Sequence, residues 1–168
     1  MTNDTLVKKL FSFPNPVNEY SARMVGFGAF CLSVAYVLTG NIWVLVVLTY
    51  GFWARVLTGP TLSPLGQFAT RVFAPLFAKI VKPKFCPGPP KRFAQSIGTF
   101  VSTSALFAYF IADSVTISKY FVGAILVAAF LEAFLGFCIG CAIFGRLMKA
   151  GIIPEEVCDR CINYRKRS

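Results

Sequence analysis

The sequence predicts an all-α membrane protein with four transmembrane helices, arranged as two helical hairpins with an amphipathic interfacial helix between them. Three observations carry this. Hydrophobic residues make up 56% of the 168 residues and charged residues only 14%, with a mean hydropathy of +0.65, whereas a soluble domain carries about 25% charge. At about 20 apolar residues per crossing, the chain has room for roughly four spans. A segment rich in proline and basic residues, at 59–92, separates two apolar halves. The chain reads as a single membrane domain over 1–168, and its length excludes a large extramembrane catalytic domain. It contains no histidine, which excludes a Ser-His-Asp triad, a histidine-ligated haem and a histidine-rich zinc site.

The first apolar stretch is interrupted at Leu38-Thr39-Gly40-Asn41, small and polar residues suited to a tight turn. Spans are expected at about 22–38 and 42–57, the second flanked by Trp43, Tyr50 and Trp53 as interfacial aromatics. In the middle segment Leu65, Phe68, Val72, Leu76 and Ile80 recur at helical spacing, which predicts an interfacial helix at about 64–82. Ser63 then Pro64 reads as its N-cap and first residue, and Pro75 should kink it. Residues 93–112 carry no charge and 120–147 carry only Glu132 and Arg146. These predict the second pair of spans, joined by a turn at 113–119. A Cys-containing tail follows at 150–168. Lys8 and Lys9 lead into Phe11-Ser12-Phe13-Pro14 rather than an apolar run, so a cleaved signal peptide is not expected. Pro14-Asn15-Pro16 ahead of Arg23 and Pro87-Gly88-Pro89 ahead of Arg92 form an internal echo, implying two parallel hairpins related by an axis along the membrane normal.

Of the 17 basic residues behind the net charge of +10, Lys8, Lys9 and Arg23 stand at the start of the first span, seven run from Arg55 to Arg92 and six from Arg146 onward, so only Lys119 falls on the other side. The positive-inside rule therefore predicts both termini in the cytoplasm. The basic residues line membrane borders without interleaved stacking aromatics, so no nucleic-acid partner is expected.

This orientation puts most of the six cysteines at or near the reducing side, where a permanent disulfide framework is disfavoured. Cys138 and Cys141, on a continuous fourth helix, fall close to the inner edge of a hydrocarbon core about 30 Å thick. Cys138-Ile139-Gly140-Cys141 and Cys158-Asp159-Arg160-Cys161 form two CxxC pairs with two readings. As reactive thiols the four would exchange electrons or sulfur, with Arg160 favouring thiolate in the tail pair. As metal ligands the same four match the spacing of a four-thiolate structural zinc site. A third reading is that Cys138 and Cys141 simply fill a helix contact. Glu132 is an intramembrane acid, either a proton carrier or the partner of a cation or polar group; the candidates are Arg23, Arg92, Gln95, Ser96, Ser102 and Ser104. Gly136 and Gly140 are spaced to seat the fourth helix closely on a neighbour or a second copy.

Gly136-Phe137-Cys138-Ile139-Gly140-Cys141, with Pro89-Pro90-Lys91-Arg92-Phe93-Ala94-Gln95 and the basic proline-rich segment before it, resembles the prokaryotic membrane family called domain of unknown function 4395. The resemblance implies a four-span protein of the prokaryotic inner membrane, with Cys138 and Cys141 as motif thiols and Arg92 as motif arginine. It also implies thiol or sulfur traffic with a thioredoxin-like or sulfurtransferase partner, and carries no catalytic mechanism. The expected function is a membrane thiol-disulfide or sulfur-relay protein meeting a soluble cytoplasmic partner. The alternatives are a scaffold or complex subunit with a zinc clamp, and a small transporter of an anion or sulfur compound using Glu132 and the arginines.

Overall fold

The computed structural model describes residues 17–78 and 85–153. The chain runs β1 (Val17–Asn18), α1 (Glu19–Thr39), α2 (Ile42–Thr58), α3 (Pro64–Phe68), a π-helical turn (Ala69–Phe73), α4 (Ala74–Ala78), β2 (Phe85–Cys86), α5 (Gly88–Phe110), α6 (Val115–Leu135) and α7 (Ile139–Lys149). Cys158 and Cys161, most of the 150–168 tail and the predicted end of the interfacial helix lie outside the described residues.

Local chemistry accounts for each boundary. Asn18 and Asn41 cap α1 and α2 through their side-chain oxygens, and Gly40 turns the first hairpin at φ 67°, a conformation glycine adopts without steric cost. Ser63 caps α3 by accepting from the Gly66 amide at 3.2 Å, with Pro64 as first residue, as the sequence predicts. The kink expected at Pro75 is taken up by the π-helical turn just ahead of it. Proline has no amide hydrogen and its ring collides with the carbonyl four residues back, and a widened turn relieves both. The turn of the second hairpin is earlier and shorter than expected: α5 ends at Phe110 and α6 starts at Val115, capped by Ser114, so the turn is 111–114 rather than 113–119.

Two helices, α1 and α6, are long and apolar enough to cross a membrane, with mean hydropathies of 1.5 and 1.7. Only 28% and 22% of their apolar windows is buried inside the protein, so the remaining residues are partly or fully exposed. Leu38, Trp43, Phe100, Phe107 and Tyr120 are likewise exposed, an outward apolar surface that soluble monomers seldom show. The helix α2 is apolar but shorter, and α5 opens with Lys91 and Arg92.

The helices pack crosswise: α1 lies mainly on α6 and α2 on α5. The two strands pair antiparallel, Val17 opposite Cys86 and Asn18 opposite Phe85, so the segments that open the two hairpins meet each other. The core holds Tyr36, Leu45, Leu48, Phe52, Ala105, Val122 and Ile125, crossed by one polar pair, the Tyr36 hydroxyl 2.6 Å from that of Ser118. Tyr36→Phe orphans a buried serine and is expected to cost about 1–2 kcal/mol. Thermal unfolding in detergent checks this, and adding Ser118→Ala should cost little more.

Candidate functional site

The site is made by a break that the sequence reading did not anticipate. A continuous helix over 120–147 was expected; α6 instead ends at Leu135 and α7 begins at Ile139. Gly136 takes the left-handed conformation at φ 66°, and a Cβ there would run into the Arg23 guanidinium. The Phe137 amide donates back to the Leu131 carbonyl at 3.0 Å, which closes the end of α6. Cys138 then adopts extended backbone and its sulfur caps α7, accepting from the Cys141 amide at 3.3 Å. Residues 136–138 thus leave the helix because glycine pays nothing for the turn and the thiol replaces the cap that serine gives elsewhere.

Two consequences follow for the thiols. Cys138 sits where the unpaired amides and partial positive charge of a helix N-terminus favour an anion. The Cys141 thiol donates to the Cys138 sulfur, and the two sulfur atoms are 2.7 Å apart. That donated hydrogen bond holds the Cys138 thiol below the usual cysteine range, against the opposing effects of burial and Glu132, and it pushes Cys141 well above that range. The shared hydrogen bond thus favours negative charge on Cys138 and leaves the proton on Cys141. Both cysteines are free and half-buried.

The partner of Glu132 is Lys91, which was not among the candidates. Its Nζ donates to Glu132 Oε1 at 2.6 Å, with side-chain exposures of 11% and 15%. Lys91 comes from the first turn of α5, close enough for its ammonium to act on both thiols. None of the expected candidates is bonded to Glu132. Arg92 donates to the Val56 carbonyl at 3.2 Å on an exposed face, Gln95 is taken by Arg55, Ser96 and Ser104 donate to carbonyls of their own helix, and so does the buried Ser102. Arg23 lies over Gly136 with its Nε unpaired. Gly136 and Gly140 do not form one seam: Gly140 backs onto the Ala94 backbone of α5.

Each thiol opens on a different cavity. Cys138 lines an inner one of about 240 Å³, walled by Ala29, Phe52, Gly98, Ile125 and Ile143 and carrying three polar residues, Arg55, Gln95 and Glu132. Cys141 lines a second, of about 220 Å³, together with Cys86, Lys91, Phe144 and Met148. Cys86, on β2, donates to the Val17 carbonyl at 3.4 Å, and burial pushes its thiol up although Lys91 opposes this.

Arg55 is the residue sequence reasoning misjudged most, having counted it only as a border cation. It is buried, donates from Nε to Gln95 Oε1 at 2.9 Å and from Nη1 to Ser63 Oγ at 3.5 Å, and lies 4.7 Å from the Phe52 ring centroid. Among the described residues it has no carboxylate ion pair. No group of three or more metal-ligating side chains occurs among the described residues, so a four-thiolate clamp would need Cys158 and Cys161, which lie outside them.

No curated protein and no solved structure matches the chain. The profile of one family, described as a domain of unknown function (DUF4395), matches residues 17–149, a span that includes both cavities and the Cys138-Ile139-Gly140-Cys141 motif. The chain belongs to the DUF4395 family.

Proposed function

We propose that this protein is a membrane thiol-disulfide or sulfur-relay protein that exchanges electrons or sulfur with a soluble cytoplasmic partner. The observation that carries the reading is the geometry of Cys138: a helix-capping sulfur, 2.7 Å from the sulfur of Cys141, which donates to it. A thiolate held at a helix N-terminus with a proton-bearing neighbour is what disulfide exchange requires. Packing alone would not need the helix to break at the motif.

In this reading α1, α2, α5 and α6 all cross the inner membrane, and the thiols lie past the end of α6 at its cytoplasmic edge. Support comes from the outward apolar faces and from the basic residues gathered at the termini and middle segment. Cys138 and Cys141 form the membrane-edge pair. Cys158 and Cys161, in the tail, form the pair that meets a thioredoxin-like or sulfurtransferase partner.

The test is the intact mass of acid-quenched protein extracted from membranes, after denaturing alkylation of free thiols. The expected result is a population lacking two alkyl groups, or carrying one extra sulfur, mapped to Cys138 and Cys141. Alkylation of all six cysteines under every growth condition would sink the reading and favour the zinc clamp or a purely structural pair.

A further inference from the structure

We infer that the inner cavity beside Cys138 receives the ring of a membrane quinone, which takes the electron pair when Cys138 and Cys141 become a disulfide. The inference rests on the thiol-exchange reading and names the electron acceptor on its membrane side.

Three features of the cavity select this ligand. Its walls are almost wholly aliphatic and aromatic, and it lies between α1, α2, α5, α6 and α7, so a lipid-soluble molecule suits it better than a hydrated ion. An apolar cavity of about 150 Å³ suffices for benzene; one of about 240 Å³ has room for a substituted ring. The polar groups are few, and one of them, Glu132, is already paired with Lys91. Arg55 spends Nε on Gln95 and Nη1 on Ser63, which leaves Nη2 and the Gln95 amide nitrogen as donors, matched to a carbonyl oxygen that gains negative charge on reduction. The third feature is the nucleophile. Cys138 lines this cavity, whereas Cys141 lines the other.

The chemistry closes without another reagent. The Cys138 thiolate adds to a ring carbon, forming a C–S bond and moving an electron pair onto the carbonyl oxygen beside Arg55, which takes up a proton. The Cys141 sulfur then attacks the Cys138 sulfur as its own proton departs. The S–S bond forms, the C–S bond breaks, and that electron pair stays on the ring system, whose second oxygen is protonated. Two thiols are oxidised and one quinone is reduced to quinol.

The experiment mixes fully reduced protein in lipid nanodiscs, without oxygen, with a short-chain alkyl benzoquinone, and follows quinol formation by absorbance and disulfide formation by alkylation mass. A soluble disulfide, oxidised glutathione, is tested in parallel. The expected result is one quinol per Cys138–Cys141 disulfide, preceded by a visible thiolate–quinone charge-transfer band. Arg55→Gln should raise the quinone KM about tenfold or more, and Arg55→Lys should recover part of that. Ala128→Leu, which fills the cavity from the α6 wall without touching Arg55, should also raise KM. Exchange with glutathione disulfide but no quinol would overturn the quinone site and leave the thiol-exchange reading standing; failure of both would remove both. Quinone reduction with an unchanged KM in Arg55→Gln and Ala128→Leu would overturn the assignment to this cavity, and so would stabilisation by thiosulfate that quinone does not compete away.

Discussion

Cys138→Ser is expected to reduce thiol exchange with a disulfide substrate by more than about 10³-fold, since a hydroxyl cannot replace a thiolate nucleophile. Folding should survive, because serine is itself a good cap and can accept from the Cys141 amide as the sulfur does. Cys31→Ser, on an exposed part of α1, is the matched control and should exchange at the parent rate. The pH profile makes the prediction sharper. Alkylation follows the thiolate fraction, and the Cys138 thiol titrates below the usual range because Cys141 donates to it. Its labelling should therefore reach its plateau at a lower pH than that of an unperturbed cysteine and fall as pH drops through that lowered value. Cys141, pushed upward by the same hydrogen bond, should remain unlabelled while Cys138 reacts. Peptide mapping after brief alkylation at a series of pH values measures both. Equal labelling of the two thiols would contradict the geometry.

The second large effect lies in the Lys91–Glu132 pair. Removing one partner of a mostly buried ion pair leaves an uncompensated charge. Lys91→Met is therefore expected to destabilise the protein by about 3 kcal/mol, while the double variant with Glu132→Gln should regain a substantial part. Unfolding in a detergent series, completed as a double-mutant cycle, decides it: additive losses would mean that the 2.6 Å contact carries no coupling. Lys91 also favours the Cys138 thiolate, so Lys91→Met should slow Cys138 labelling at neutral pH. A pair that acted only as a strut would leave labelling untouched.

Features encoded within a few residues were legible in the sequence. The Gly40-Asn41 turn, the Ser63-Pro64 start, the disturbance at Pro75 and the apolar runs of α1 and α2 all follow from local preference. The end of the fourth apolar run was not legible, for two physical reasons. Glycine is common inside membrane helices, so Gly136 alone gave no stop signal. Sulfur is also a weaker acceptor than oxygen, so Cys138 did not read as a cap. Lys91 and Arg55 were missed because their partners are distant in sequence. Lys91 meets Glu132 across the second hairpin, and Arg55 meets Gln95 between helices of opposite hairpins, contacts that no local window contains. The motif cysteines were identified, but on a helix face rather than at a helix start, where Cys138 caps α7.

The two hairpins also differ in an instructive way. Each ends its second long helix at a glycine with φ near +65°, Gly59 in one and Gly136 in the other, and each continues into a short helix capped by a side chain, Ser63 or Cys138. One helical turn before those glycines stand Arg55 and Glu132, and both face the same inner cavity. Equivalent positions in the two halves thus hold a cation and an anion, and equivalent caps hold oxygen and sulfur. The two halves thus bring unlike chemistry to the same chamber. An occupant cannot enter in two equivalent poses, and only one half presents it with a sulfur.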